Sequence, residues 1–181
     1  MLLLEKMCLI VDDTKVLQSN REKITRQELF IFNATWPGQN GIIFKNNEVT
    51  QGKYISSVLP ITKSNYVILG FTTKAPWTTT SLKVLLRLDY TDTKKQFEYT
   101  VPDTTATVSC YKLLYISYSK YFLASFSGNN GVLVYDFTKS SQAHQRVFRP
   151  PYADFNEIDY LEKSKVVLWQ VQDFIISPAT P

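Results

Sequence analysis

Few residues of this chain stand where chemistry could be done. The single histidine, His144, has Ser140, Ser141 and Gln142 as near neighbours. A Ser-His-Asp arrangement is conceivable there, but a triad is defined by geometry rather than by spacing. The plainer reading is a solvated loop histidine. Cys8 with His144 would be a thiol alternative, yet Cys8 sits in the apolar run MCLIV, where a thiol packs as a small hydrophobe. Asp154, Glu157 and Asp159 form an acidic cluster of the oxygen-ligand type that suits a hard cation. It reads equally as a polar loop between strands. No Cys-x-x-Cys occurs, so the usual zinc spacing is missing. GNNG at 128–131 lacks the Gly-x-x-x-x-Gly-Lys spacing of a phosphate loop. The expectation is therefore no catalytic residue, no metal and no cofactor.

Arg146, Phe148, Arg149 and Tyr152 interleave bases with aromatics, which could stack on and neutralise a nucleic-acid strand. The bland reading is a charged sheet edge that discourages aggregation. The net charge of +4 over 181 residues is mild. It permits an acidic partner without the dense basic stripe that nucleic acid usually needs.

The elements that would position these residues are strands. Tyr and Phe number 11 each, alongside many Val, Ile, Leu and Thr, a mixture that fits a pleated, half-buried surface. Two cysteines, Cys8 and Cys110, are too few for a disulfide framework and predict reduced, buried thiols. The apolar start MLLLEKMCLIV is interrupted by Glu5 and Lys6, a poor secretory leader. No apolar run approaches the roughly 20 residues of a membrane helix. Together these predict an intracellular, cytoplasmic protein without membrane insertion, neither secreted nor lipid-embedded. The glycosylation pattern Asn33-Ala34-Thr35 falls inside a structural repeat and reads as structural.

That repeat is a short phrase closing three apolar runs: ELFIFNAT, KVLLRLDYT and GVLVYDFT. Its polar positions, Asn33, Asp89 and Asp136, recur at roughly 50 residues, the period of four-stranded units. Another strand precedes each phrase: TKVLQS at 14–19, NYVILGF at 65–71 and KYFLASF at 120–126, with SKVVLWQ at 164–170 as a fourth copy. Before each of these come a polar turn (DDTK, ITKSN, SYSK, LEKSK) and a further apolar run. A more polar strand follows each phrase. The chain thus reads a-b-c-d three times and a-b once, with strand d outermost. Residues 21–28 come nearest to a helix and read as loop. The Asp or Asn closing strand c can bond its own backbone two residues on, and Thr can do so more weakly. The phrase is the turn signal out of strand c.

This pattern resembles a degenerate WD-repeat β-propeller, in which each blade is a four-stranded antiparallel sheet and strand c ends in Trp-Asp. Phe32-Asn33, Leu88-Asp89 and Tyr135-Asp136 stand at that pair. The Gly-His pair that opens such a unit is absent, so its His-to-Asp network cannot form. The resemblance implies an all-β, β-propeller-like array over residues 1–181, with blades at about 7–50, 54–102 and 107–150 and a half blade at 155–177. Such an array is incomplete on its own, since propellers close with 4 to 8 blades. Either further residues or another chain would complete it. The alternative is a single β-sandwich or barrel, whose short strands also recur regularly.

The resemblance further implies a rigid platform whose loops bind. It gathers Arg21, Lys23, Arg26, Lys74, Trp77, Arg149 and Tyr152 on one rim, through the b-to-c loops at 20–27 and 73–81 and the d-to-a connection at 150–154. Trp or Tyr beside Arg is the usual composition of an interaction hot spot, and the positive charge suits an acidic protein surface. The opposite rim carries Trp36, Lys94, Lys95 and Lys139. The function expected is a non-catalytic protein–protein interaction scaffold within a larger assembly. The alternative is an RNA-binding β protein using the same basic, aromatic rim.

Overall fold

A computed structural model describes residues 7–18, 21–33, 41–61, 64–74, 84–99, 101, 108–116, 119–127, 131–139, 144–148, 155–161 and 166–171. Within them the protein is all-β. The first sheet joins β1 (Met7–Gln18), β2 (Arg21–Asn33) and β3 (Gly41–Asn46) in that order. A 3-10 turn, Val49–Gln51, leads into the second sheet. That sheet comprises β4 (Lys53–Pro60), β5 (Tyr66–Thr73), β6 (Leu85–Asp89) and β7 (Gln96–Tyr99). The third holds β8 (Cys110–Tyr115), β9 (Tyr121–Phe126), β10 (Gly131–Asp136) and β11 (His144–Phe148). A hairpin, β12 (Phe155–Leu161) with β13 (Val166–Val171), follows. All pairings are antiparallel between strands consecutive in the chain, and no sheet closes into a barrel among the described residues.

The second and third sheets repeat each other at the level of single hydrogen bonds. Ile61 N donates to Tyr66 O at 2.9 Å, and Ile116 N to Tyr121 O at 3.1 Å. Ser64 Oγ donates to Ile61 O and accepts from Tyr66 N; Ser119 Oγ donates to Ile116 O and accepts from Tyr121 N. The third strands end alike as well. Asp89 Oδ1 accepts from Thr91 N and Oγ1 at 2.9 and 2.7 Å, and Asp136 Oδ1 from Thr138 N and Oγ1 at 3.0 and 2.6 Å. This is the turn chemistry the repeated phrase predicts. A bulge recurs in all three hairpins, between Ile55 and Ser57, Cys110 and Lys112, and Phe155 and Glu157. Ile55 pairs with Phe71, Cys110 with Phe126 and Phe155 with Val171, the same separation along the chain each time.

The sheets stack in chain order. β8 lies against β4 and β5, and β12 lies against β8 and β9. One face of the second sheet, with Val67, Leu69, Phe71, Leu86 and Leu88, turns to the first sheet. The other carries Ile68, Gly70, Leu85, Arg87, Phe97 and Tyr99 towards the third. The main core runs through the stack from Leu29 and Ile43 to Phe122 and Tyr135, and a smaller cluster around Leu123 and Val132 covers the far face of the third sheet. β5, β6, β9 and β10 are buried nearly throughout, as their continuous apolar runs require for strands covered on both faces.

The first unit departs from expectation. Among the described residues it has three strands, not four. β1 runs without a break through the Asp12-Asp13-Thr14-Lys15 stretch read as a turn, with only a bulge between Thr14 and Lys15. Residues 21–27, read as a loop, are the first half of β2. No Gly or Pro interrupts either stretch, and the polar groups bond across the pair. Gln27 Nε2 donates to Asp13 Oδ1 at 2.9 Å, and Thr25 Oγ1 to Thr14 O at 3.2 Å. His144, read as a loop residue, opens β11 opposite Tyr135.

Candidate functional site

Of the seven residues expected on one rim, the structure describes three side chains. Lys23 and Arg26 are exposed on β2, a strand of the first sheet, and Lys74 is exposed just past β5 in the second. Arg26 pairs with Glu28, which also lies 3.4 Å from Lys45 Nζ. Lys74 is fixed by its own N–H, which donates to Gly52 O at 2.7 Å. Arg21 begins β2, and its side chain is outside the described set, as are Trp77, Arg149 and Tyr152 entirely. The loops at 73–81 and 150–154 likewise lie outside it, apart from Thr73 and Lys74. Asn33 ends β2 opposite Met7. Among the metal-type positions, Glu157 and Asp159 are on β12 and Asp154 is not described. The described residues contain no cluster of three metal-ligating side chains.

The polar chemistry lies where the first two sheets meet. Gln27, buried on β2, accepts through Oε1 from Asn46 Nδ2 at 3.0 Å and from Ile55 N at 2.7 Å. It thereby ties β2, β3 and β4 together. Asn46 Nδ2 also donates to Lys53 O at 2.7 Å, and Asn46 Oδ1 accepts from Glu48 N at 3.1 Å. After the 3-10 turn, Gly52 takes φ 99 and reverses the chain, a conformation open to glycine at little cost. Lys53 is thereby turned inward. Its side chain is only 6% exposed, with Nζ 2.8 Å from Glu48 Oε2 and 4.7 Å from the centroid of the Phe71 ring. A buried ammonium is sustainable here because a carboxylate and an aromatic face both hold it.

Beside this network a pocket of about 500 Å³ opens between β3 and the second sheet. Ile43, Phe44, Phe71 and Leu86 line it together with Lys53 and Glu48 and with Gln96 and Glu98 of β7. Phe44 and Phe71 meet edge to face, with centroids 6.2 Å apart.

Between the second and third sheets the interface is aromatic and pinned by Arg87. Its guanidinium lies 4.8 Å from the Tyr66 ring centroid and 5.5 Å from that of Phe97, and it donates to Phe137 O on the next sheet. Tyr99 contacts both Phe122 and Tyr135 edge to face, and Phe122 stacks on Tyr135 with 5.2 Å between centroids. Burial pushes the Tyr99 phenol up to about 12 against the opposing pull of Arg87. Burial raises the Tyr135 phenol and the Cys110 thiol still more strongly. Cys110 is a free, buried thiol, as the composition predicts; the Cys8 side chain lies outside the described set.

Sequence reasoning did not single out Gln27, Asn46, Lys53 or Arg87. Arg87 had a signal: one charge inside the apolar run VLLRL, before the Asp89 that closes the strand. The other three had none, because they are joined only once β2, β3 and β4 come together. Comparisons with family models, curated proteins and solved structures gave no match to this chain.

Proposed function

We propose that this protein is a non-catalytic scaffold for protein–protein interaction, built as a propeller-like array of four-stranded blades and acting inside the cell as part of a larger assembly. The observation that carries the reading is the repeat itself. Two four-stranded sheets share their turn hydrogen bonds, three hairpins share one bulge, and β8 and β12 each lie against the first two strands of the sheet before them. Stacked repeats of this kind make a stiff body whose connecting loops present side chains. No helix among the described residues is long and apolar enough to cross a membrane.

The partner implied is a protein with an acidic surface, met by Lys23, Arg26, Lys74 and the residues expected beside them. Cross-linking and mass spectrometry of the protein purified from its native source test this. One stoichiometric protein partner, weakened when Lys23→Glu and Lys74→Glu are combined, supports the scaffold. RNA in its place, with an affinity falling steeply as salt rises, replaces it with a nucleic-acid-binding reading.

A further inference from the structure

We propose that the pocket between β3 and the second sheet binds a small-molecule carboxylate with an apolar body, and that this ligand displaces Glu48 from the Lys53 ammonium. The inference is independent of the scaffold reading.

The volume, about 500 Å³, lies in the range of small-ligand sites, roughly 300–1,000 Å³. The lining is mixed: Ile43, Phe44, Phe71 and Leu86 give an apolar patch for a ligand's body, set among more numerous polar and charged side chains. Of those polar groups, Lys53 cannot withdraw. Its backbone is held in β4, its carbonyl accepts from Asn46, and its ammonium is enclosed against Phe71. A cation held this far from water requires an anion.

Glu48 fills that role in the structure, and its situation is the reverse of that of Lys53. It immediately precedes the 3-10 turn, and its side chain is 45% exposed against 6% for Lys53. Its half-exposed carboxylate can turn into water, provided that the ligand's carboxylate takes its place on the buried ammonium. A carboxylate therefore already fits the anion position, and the residue supplying it is displaceable. The space beyond, towards Leu86, Gln96 and Glu98, is where the ligand's apolar body goes.

The test is isothermal titration calorimetry of the full chain with 3-phenylpropionate. The cation of matching shape, 3-phenylpropylamine, is titrated in parallel, on the wild type and on Glu48→Gln. The expected result is saturable binding of the carboxylate, tighter in Glu48→Gln by at least about two- to fivefold, the lower bound set by the worth of an exposed ion pair. Amide resonances of Asn46, Lys53 and Phe71 should shift as the carboxylate is added, and Lys53→Met should abolish binding. Should Lys53→Met fail to fold, the Glu48→Gln comparison still decides. Absence of saturable carboxylate binding to both proteins overturns the proposal. So does unchanged affinity in Glu48→Gln, or amine binding as tight as that of the carboxylate.

Discussion

A methyl group placed on Gly70 of β5 would lie 2.5 Å from Cys110 Sγ and 3.1 Å from Cys110 Cβ on β8. The second and third sheets approach so closely here that no side chain fits between them. Ser56 Oγ marks the same closeness, donating to Cys110 O at 2.9 Å and to Gly70 O at 3.2 Å. Gly70→Ala should therefore destabilise the protein by about 1–3 kcal/mol, the usual cost of overpacking. Adding Cys110→Ala should recover part of that loss. Urea unfolding of the two single variants and the double variant measures the coupling, and strict additivity would mean the contact is absent.

Arg87 should behave as a structural pin. Arg87→Met removes the donor to Phe137 O and the cation between Tyr66 and Phe97, and should cost about 1–3 kcal/mol for the stranded carbonyl. Arg87→Lys should restore little of this, because an ammonium does not reproduce a planar guanidinium that lies over rings while donating sideways. Thermal unfolding of both variants checks the order wild type, then Lys, then Met, with Lys close to Met.

Asp136 should shape the acid limb of stability. Burial works to raise its carboxyl, but the Thr138 hydroxyl and amide and then the Lys120 ammonium, 3.1 Å away, outweigh this and hold it below the ordinary value of 3.8. A carboxylate lowered in the folded state stabilises fully above the unfolded value, and that contribution is lost as pH falls through the lower folded one. Asp136→Asn should flatten the wild-type loss of stability below about pH 4 while keeping an oxygen for Thr138. Asp136→Ala loses the turn as well and should cost about 1–3 kcal/mol near neutrality. Denaturant midpoints measured from pH 2 to 7 separate the two.

The alkaline limb should depend on Tyr99. Its phenol, raised by burial to about 12 from 10.0, stays protonated in the folded state where an unfolded tyrosine ionises. Its contribution is thus complete below pH 10 and is lost as pH rises towards 12. Denaturant midpoints of the wild type and Tyr99→Phe, measured on either side of pH 10, should show a smaller fall in stability at alkaline pH for the variant.

The second and third units were legible in the sequence because their turns carry their own chemistry. Asp-x-Thr at 89–91 and 136–138 and the serines at 64 and 119 bond locally, so the residue types alone place the turns. The first unit was not, because its polar run at 12–15 reads as a turn and is satisfied across a strand pair by Gln27 and Thr25 instead. Alternation in a long two-stranded ribbon is set by its partner strand, which a local reading does not contain. The pocket was invisible for a related reason. Lys53, Glu48 and Asn46 sit in a short polar stretch that looks like an ordinary connection, and the reversal at Gly52 that turns the lysine in against Phe71 is not visible in the residue types around it.

The repeat is the centre of this account, and a crystal structure of the chain tests it most directly. The account predicts β4, β8 and β12 side by side around one axis, β7 and β11 on the outer side, and the bulges at Ile55, Cys110 and Phe155 in equivalent places. Two sheets facing each other across one core, with β8 and β12 on opposite sides of it, would contradict it.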